Sequence, residues 1–327
     1  MIFMSISVIC NFPAYNQAQD TSETYTNPVL EQSGDPGVFR YGNLFYLYLP
    51  NNTVKPGRYD VFKSRGLVKW ESAGVAFTDP RAKQLWAPNV YHHSDGLFYL
   101  YYTAVRGKPR DKRIGNRDIG VAVSDKPEGP FESVKILLDN DFAFIDPHLF
   151  RDDDEKLYLV YKERGAFGTG SSIRAVKMRS PLEMEPNSAA TLIKAGSNKT
   201  WERQVAEQPF LHKQGETYVL FYSGASGADE SYAIGIATSI SPLGPYRKSP
   251  KNPVVQSQNS TGVIAPGAVL IVTDGSGEHW MIYRQKRDKN RNGDRFVAID
   301  RIMIDPDGNV RIEATHNAAR PAPIQLK

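Results

Sequence analysis

Five apolar, aromatic-rich runs recur along this chain, each the length of one strand: Phe45-Tyr46-Leu47-Tyr48-Leu49, Phe98-Tyr99-Leu100-Tyr101-Tyr102, Leu157-Tyr158-Leu159-Val160-Tyr161, Tyr218-Val219-Leu220-Phe221-Tyr222 and His279-Trp280-Met281-Ile282-Tyr283. Their spacing is about 53 to 61 residues, which points to a repeat array such as a propeller. Before each run stands a short apolar segment, in most cases led by proline: Asp35-Pro36-Gly37, Trp86-Ala87-Pro88, Asp146-Pro147-His148, Glu207-Gln208-Pro209 and Pro266-Gly267-Ala268. Turn-forming residues such as Ser94-Asp95-Gly96 and Lys213-Gln214-Gly215 separate segment from run, so each pair reads as a hairpin. A third, alternating strand follows, as in Ile119 to Ser124 and Tyr232 to Ala237. A fourth, outer strand is expected after Phe131 and after Tyr246. No helical period is sustained. The pattern therefore predicts an all-β chain, a five-bladed β-propeller with about four antiparallel strands per blade. It forms one domain over residues 27–327.

Counting back about 15 residues from the end of each aromatic run reaches Asp35, Ala87, Asp146, Glu207 and Ala268. Equivalent positions in a radial array face one axis, so three carboxylates are expected to converge there. Clustered buried like charges are costly, which argues for a use. Two carboxyl groups across a cleft are the equipment of glycoside hydrolysis: one protonated to donate to the leaving oxygen, one ionised to activate water or attack carbon. A third nearby carboxylate raises the pKa of the acid by repulsion. The other use for such a cluster is an ion site. Trp86 and Phe39 are candidates to stack on a sugar ring.

Composition narrows the classes. About 40% of the residues are hydrophobic, and the formal charge is +4 with acids and bases nearly balanced. The basic runs Arg106 to Arg117 and Arg284 to Arg295 read as solvated loops. They match no nucleic-acid-binding motif, and no nucleic acid partner is expected. No stretch is long and apolar enough for a transmembrane segment. The single cysteine, Cys10, excludes an internal disulfide or a cysteine-based metal site. Residues 1–18 read as a candidate signal peptide cut after Ala18, although the basic leader is missing, so a secreted or periplasmic protein is expected.

The motifs Asp35-Pro36, Trp86-Ala87-Pro88, Ile145-Asp146-Pro147-His148-Leu149-Phe150 and Ala206-Glu207-Gln208-Pro209, in this order and spacing, resemble glycoside hydrolase family 43. The likeness runs from about Asn27 to about Arg311. It implies an inverting mechanism with Asp35 as general base, Glu207 as general acid, and Asp146 orienting Glu207 and tuning its pKa. It also implies a last-blade arginine in the sugar site, Arg295 or alternatively Arg284. The substrates implied are arabinose- or xylose-containing glycans, cleaved by an α-L-arabinofuranosidase or β-D-xylosidase activity. Two other readings stay open: an exo-glycosidase of the sister clan on galactosyl or anhydrogalactosyl ends, and a non-catalytic sugar-binding propeller. Two positions depart from the family pattern. Gln208 stands where the acid motif usually has glycine. Gly267-Ala268-Val269 stands where a histidine often faces an axial calcium ion. Hence no cofactor is required, no metal ligand is assigned and structural calcium is not predicted.

Overall fold

A computed structural model describes residues 23–32, 34–54, 56–106, 117–139, 143–165, 170–290 and 292–327. The candidate signal peptide, Cys10 and most of the basic run from Arg106 to Arg117 lie outside them. The described chain is all strand and forms a five-bladed β-propeller. The first blade uses Gly37–Tyr41, Leu44–Asn51, Arg58–Ser64 and Glu71–Thr78. The second uses Ala82–His92, Phe98–Arg106, Arg117–Ser124 and Glu132–Leu138. The third opens with Phe144–Arg151, Leu157–Arg164 and Ser171–Ser180, the last of which pairs with both Glu183–Met184 and Ala190–Lys194. The fourth uses Ala206–Gln214, Thr217–Gly224, Ala233–Ser239 and Arg247–Lys248, and the fifth Gly267–Thr273, His279–Lys286, Arg295–Ile304 and Val310–Ile312. Within each blade the strands are antiparallel and sequential.

The aromatic runs are second strands, and they are apolar throughout because both of their faces are buried. Side chains alternate across a strand. In the first blade Tyr46 and Tyr48 enter the apolar layer shared with the second blade, while Phe45, Leu47 and Leu49 enter the layer shared with the fifth. Phe98, Leu100 and Tyr102 face the first blade; Tyr99 and Tyr101 face the third. Five such layers, one between each pair of neighbours, make the core. The hydroxyls of Tyr48 and Tyr101 reach across and donate to the carbonyls of Pro127 (2.5 Å) and Pro181 (2.8 Å), in the turns that follow the neighbouring blades' third strands.

Each innermost strand packs against the innermost strand of the next blade, the fifth against the first. Every blade is continuous in sequence, so closure falls to the chain ends. Thr24–Tyr25 pairs with Arg320–Pro321. The buried Asn27 amide donates to Ile299 O at 2.9 Å and accepts from the Ile299 N–H at 2.9 Å. In the other direction, the Leu326 N–H donates to Arg65 O in the first blade at 2.9 Å. The two ends cross one another and tie blade five to blade one.

Four of the innermost strands carry the same irregularity. Ala87, Asp146, Gln208 and Ala268 have φ of 46°, 59°, 52° and 54°, the left-handed region, and the ladder slips at each of them. Such bulges bend a strand and re-aim its side chains. They also correct the register expected from counting. Asp146 is equivalent to Gln208, not to Glu207, because the fourth-blade hairpin from Lys213 to Tyr218 is one residue shorter than its third-blade counterpart from Arg151 to Leu157. Glu207 therefore occupies the position of Ile145, Trp86 and Gly267, one residue before the bulge.

Candidate active site

The residue directly after each aromatic run decides much of the site. These residues are Pro50, Thr103, Lys162, Ser223 and Arg284. From blade two onward each pairs with the residue just before the bulge of its own blade: Thr103 with Trp86, Lys162 with Ile145, Ser223 with Glu207, Arg284 with Gly267. Each then reaches the following blade. Thr103 Oγ1 accepts the Asp146 N–H at 2.9 Å, and Ser223 Oγ accepts the Ala268 N–H at 3.0 Å, so a hydroxyl satisfies the bulged amide next door. Lysine has no acceptor to offer. At the fourth blade the bulged Gln208 N–H goes instead to the Asp146 carboxylate, Oδ2 at 3.1 Å, and Lys162 Nζ donates to Glu207 Oε2 at 2.5 Å. Arg284 lies against the first-blade acid, with Nε 2.5 Å from Asp35 Oδ1.

The three acids are thus brought together, and Gln208 links them. Its side-chain Nε2 donates to Asp35 Oδ2 at 2.9 Å, its main chain holds Asp146, and Glu207 precedes it in sequence. Tyr232 adds a further tie: its hydroxyl donates to Glu207 Oε1 at 2.8 Å while its ring lies 4.5 Å from the Arg284 guanidinium. Gly267 gives that ring its place, since a Cβ there would come within 2.0 Å of it. Beneath the acids, Asp146, Gln208, His148 and Ala268 line an axial cavity of about 20 Å³, room for one water. His148 is buried, with Nε2 against Leu211 O at 3.3 Å and Nδ1 facing the Asn89 amide at 3.3 Å; burial pushes it down to about 4, so it is neutral.

Electrostatics separate the carboxylates. Burial, the Glu207 charge and Asp35 push Asp146 up to about 8, against the pull of Lys162. Burial also acts to raise Glu207, but Lys162, Tyr232 and Arg284 outweigh it and hold Glu207 below the usual carboxylate range. Asp146 and Glu207 are coupled: the Glu207 charge is, after burial, the next cause that raises Asp146. Burial and the Glu207 charge hold the Tyr232 hydroxyl far above its ordinary value, so it remains a donor. Arg284 is fully buried, yet Asp35, Tyr232 and Glu207 more than offset the desolvation and keep it charged.

The remaining residues named from the sequence fall in different places. Trp86 sits at the same register as Glu207, half-buried, with the Arg117 guanidinium 4.8 Å from its ring centre. Phe39 is not brought to the acids. It lies in the innermost strand Gly37–Tyr41 and packs with Tyr41 and Phe98 in the layer between blades one and two. Of the two arginines, Arg284 and not Arg295 meets a carboxylate. Arg295 opens the next strand outward and donates to Gly227 O at 3.0 Å. Nor is the start of the Arg284 to Arg295 run a solvated loop: Arg284, Gln285 and Lys286 end a buried strand, and the Lys286 ammonium donates to Ala228 O at 2.8 Å. Lys162, Tyr232 and the bridging role of Gln208 were not foreseen. Lys162 and Arg284 share a signal in the sequence, a cation immediately after an aromatic run. Among the described residues no group of three or more His, Cys, Asp or Glu side chains is arranged to hold a metal.

The sequence profile of "Glycosyl hydrolases family 43" matches residues 25–310, a span that contains the three acids and every blade strand up to the outermost strand of blade five. The chain belongs to glycosyl hydrolase family 43. An extracellular endo-α-(1→5)-L-arabinanase of Bacillus subtilis strain 168 is 30% identical over 59% of this chain and 42% of its own length. A non-reducing end α-L-arabinofuranosidase of Bacteroides ovatus is 28% identical over 72% of this chain and 42% of its own. A xylan 1,3-β-xylosidase of a Vibrio species is 27% identical over 84% and 52%. The chain spans about half the length of these curated relatives. Among solved structures, a thermostable family-43 glycoside hydrolase superposes with a TM-score of 0.79 at 30% identity, covering 91% of this chain and 99% of that one. Among the described residues no helix is long and apolar enough to cross a membrane.

Proposed function

We propose that this family-43 chain hydrolyses α-L-arabinofuranosyl or β-D-xylosyl bonds in plant polysaccharide side chains or oligosaccharides, with inversion at the anomeric carbon. The observation that carries the reading is the axial cluster in which Gln208 ties Asp35 to Asp146 beside Glu207, with one buried cation against each outer acid. Relatives named for arabinan, arabinofuranoside and xylan cleavage support the sugar class. The extracellular name of the Bacillus subtilis relative supports action outside the cytoplasm.

In this reading Asp35 is the general base. Arg284 lies against it, and it takes a proton from the water that attacks the anomeric carbon. Glu207 is the general acid and protonates the departing oxygen. Asp146 orients and tunes Glu207 through the Gln208 main chain and through charge. Glu207 is held below the usual carboxylate range, so the working form requires a proton transfer to it. A sugar that displaces Lys162 from Glu207 favours that transfer, because the ammonium is what holds Glu207 ionised.

The test is turnover of a panel of aryl glycosides led by α-L-arabinofuranoside and β-D-xylopyranoside. Wild type should cleave a pentoside, and Asp35→Asn and Glu207→Gln should each lose about 10²- to 10⁴-fold. A folded wild type that cleaves no pentoside in the panel defeats the substrate assignment.

A further inference from the structure

Gln208 does more than fill the site. Its backbone is left-handed, with φ of 52°, a conformation natural to glycine and unfavourable for a residue that carries a Cβ. The equivalent positions Ala87 and Ala268 carry only a methyl group, so the bulge itself does not call for a long polar side chain. The carboxamide is also oriented. Its neighbour Asp35 Oδ2 accepts only, which requires the Nε2 side of the amide to face the acid at 2.9 Å. Oε1 then points away from Asp35. It has no protein partner among the described residues, and it is not enclosed. A half-buried amide fixed at one end by the first-blade acid thus presents a bare acceptor beside the cluster.

We propose that Gln208 is a substrate-recognising residue: Nε2 fixes Asp35, and Oε1 accepts a hydrogen bond from one ring hydroxyl of the pentosyl unit whose bond is cleaved. This rests on the hydrolase reading above and adds a specificity determinant to it. A site built to bond a hydroxyl discriminates against a sugar that lacks it, because the polar group is otherwise left unpaired.

The experiment compares wild type, Gln208→Gly and Gln208→Glu on the aryl pentoside and on its monodeoxy analogues. Binding of free L-arabinose and D-xylose is measured by calorimetry on the same proteins. Gln208→Gly should fold, with a melting temperature no lower than wild type, since glycine suits the bulge. It should lose about tenfold in kcat/KM on the parent pentoside. On one monodeoxy analogue that difference should vanish. Gln208→Glu keeps the length but sets a carboxylate against Asp35, so it should be worse than glycine at neutral pH; a merely space-filling side chain predicts the reverse order. Equal losses for wild type and Gln208→Gly on every deoxygenated substrate would overturn the proposal. A wild type inactive on all glycosides defeats the hydrolase reading, yet calorimetry still decides the contact: weaker pentose binding by Gln208→Gly supports it, and unchanged or absent binding overturns it.

Discussion

Two ion pairs flank the axis, and they differ in a way that separates two chemical tasks. Arg284 of blade five meets Asp35 of blade one; Lys162 of blade three meets Glu207 of blade four. Both cations stand directly after an aromatic run, so the repeat delivers them to the same place. Their chemistry is not the same. Arginine stays charged at any working pH, and this one is buried, stacked on Tyr232 and fixed in one plane. A carboxylate held by it keeps one partner in one geometry. Lysine is a single flexible point charge whose contact can be broken without leaving a rigid guanidinium stranded. A carboxylate held by it can be released to carry a proton. Tyr232 touches both arrangements, donating to Glu207 and lying under Arg284, so a change in one is felt by the other.

Exchanging the cations breaks this comparison. Arg284→Lys should lower kcat/KM by about 10²-fold, since the planar hold on Asp35 and the stacking on Tyr232 are both lost. Lys162→Arg should cost about tenfold and act chiefly on kcat, because a fixed guanidinium opposes protonation of Glu207 in every state. Steady-state kinetics on one aryl pentoside check both. Equal effects, or a milder loss at Arg284, would remove the distinction between the two pairs.

A smaller effect sharpens it through stability. Asp146 is raised in the folded protein to about 8, above its unfolded value, so the folded state holds a proton that the unfolded state has released. The associated stability is present at low pH and is lost as the pH rises through the folded pKa. Asp146→Asn stays neutral and keeps an oxygen for the Gln208 N–H. Thermal melts from pH 5 to 8.5 should show wild type falling relative to Asp146→Asn by about 5 °C. A constant difference would mean that Asp146 is ionised across the range.

Much of the fold was legible because the second strands are buried on both faces and so read as uninterrupted apolar runs, five times over. Asp35 and Asp146 were legible because each stands directly before a proline at or near the start of an innermost strand. The register of Glu207 was misjudged by one residue, since a hairpin shorter by one residue leaves no mark in a count from the aromatic run. Phe39 stands four residues after an acid in sequence, but the strand Gly37–Tyr41 carries it into the layer between blades one and two. The sequence pattern alone marks Arg284 as a loop charge, because a fully buried arginine is rare. Its position after Tyr283, shared with Lys162 after Tyr161, is the sequence signal that marks both cations. The role of Gln208 depends on a left-handed backbone and on a contact between blades one and four, neither of which a linear pattern encodes.

The central claim is that Glu207 supplies the leaving-group proton while Asp35 activates water. The most direct test is the dependence of kcat/KM on the acidity of the departing phenol, across a series of aryl pentosides, for wild type, Glu207→Gln and Asp35→Asn. Glu207→Gln should approach wild type on the most acidic phenol, which leaves without help, and fall by about 10²- to 10⁴-fold on the least acidic. Asp35→Asn should be impaired by a similar factor across the whole series. A Glu207→Gln loss that is uniform across the phenols, or a graded loss in Asp35→Asn instead, would contradict the assignment.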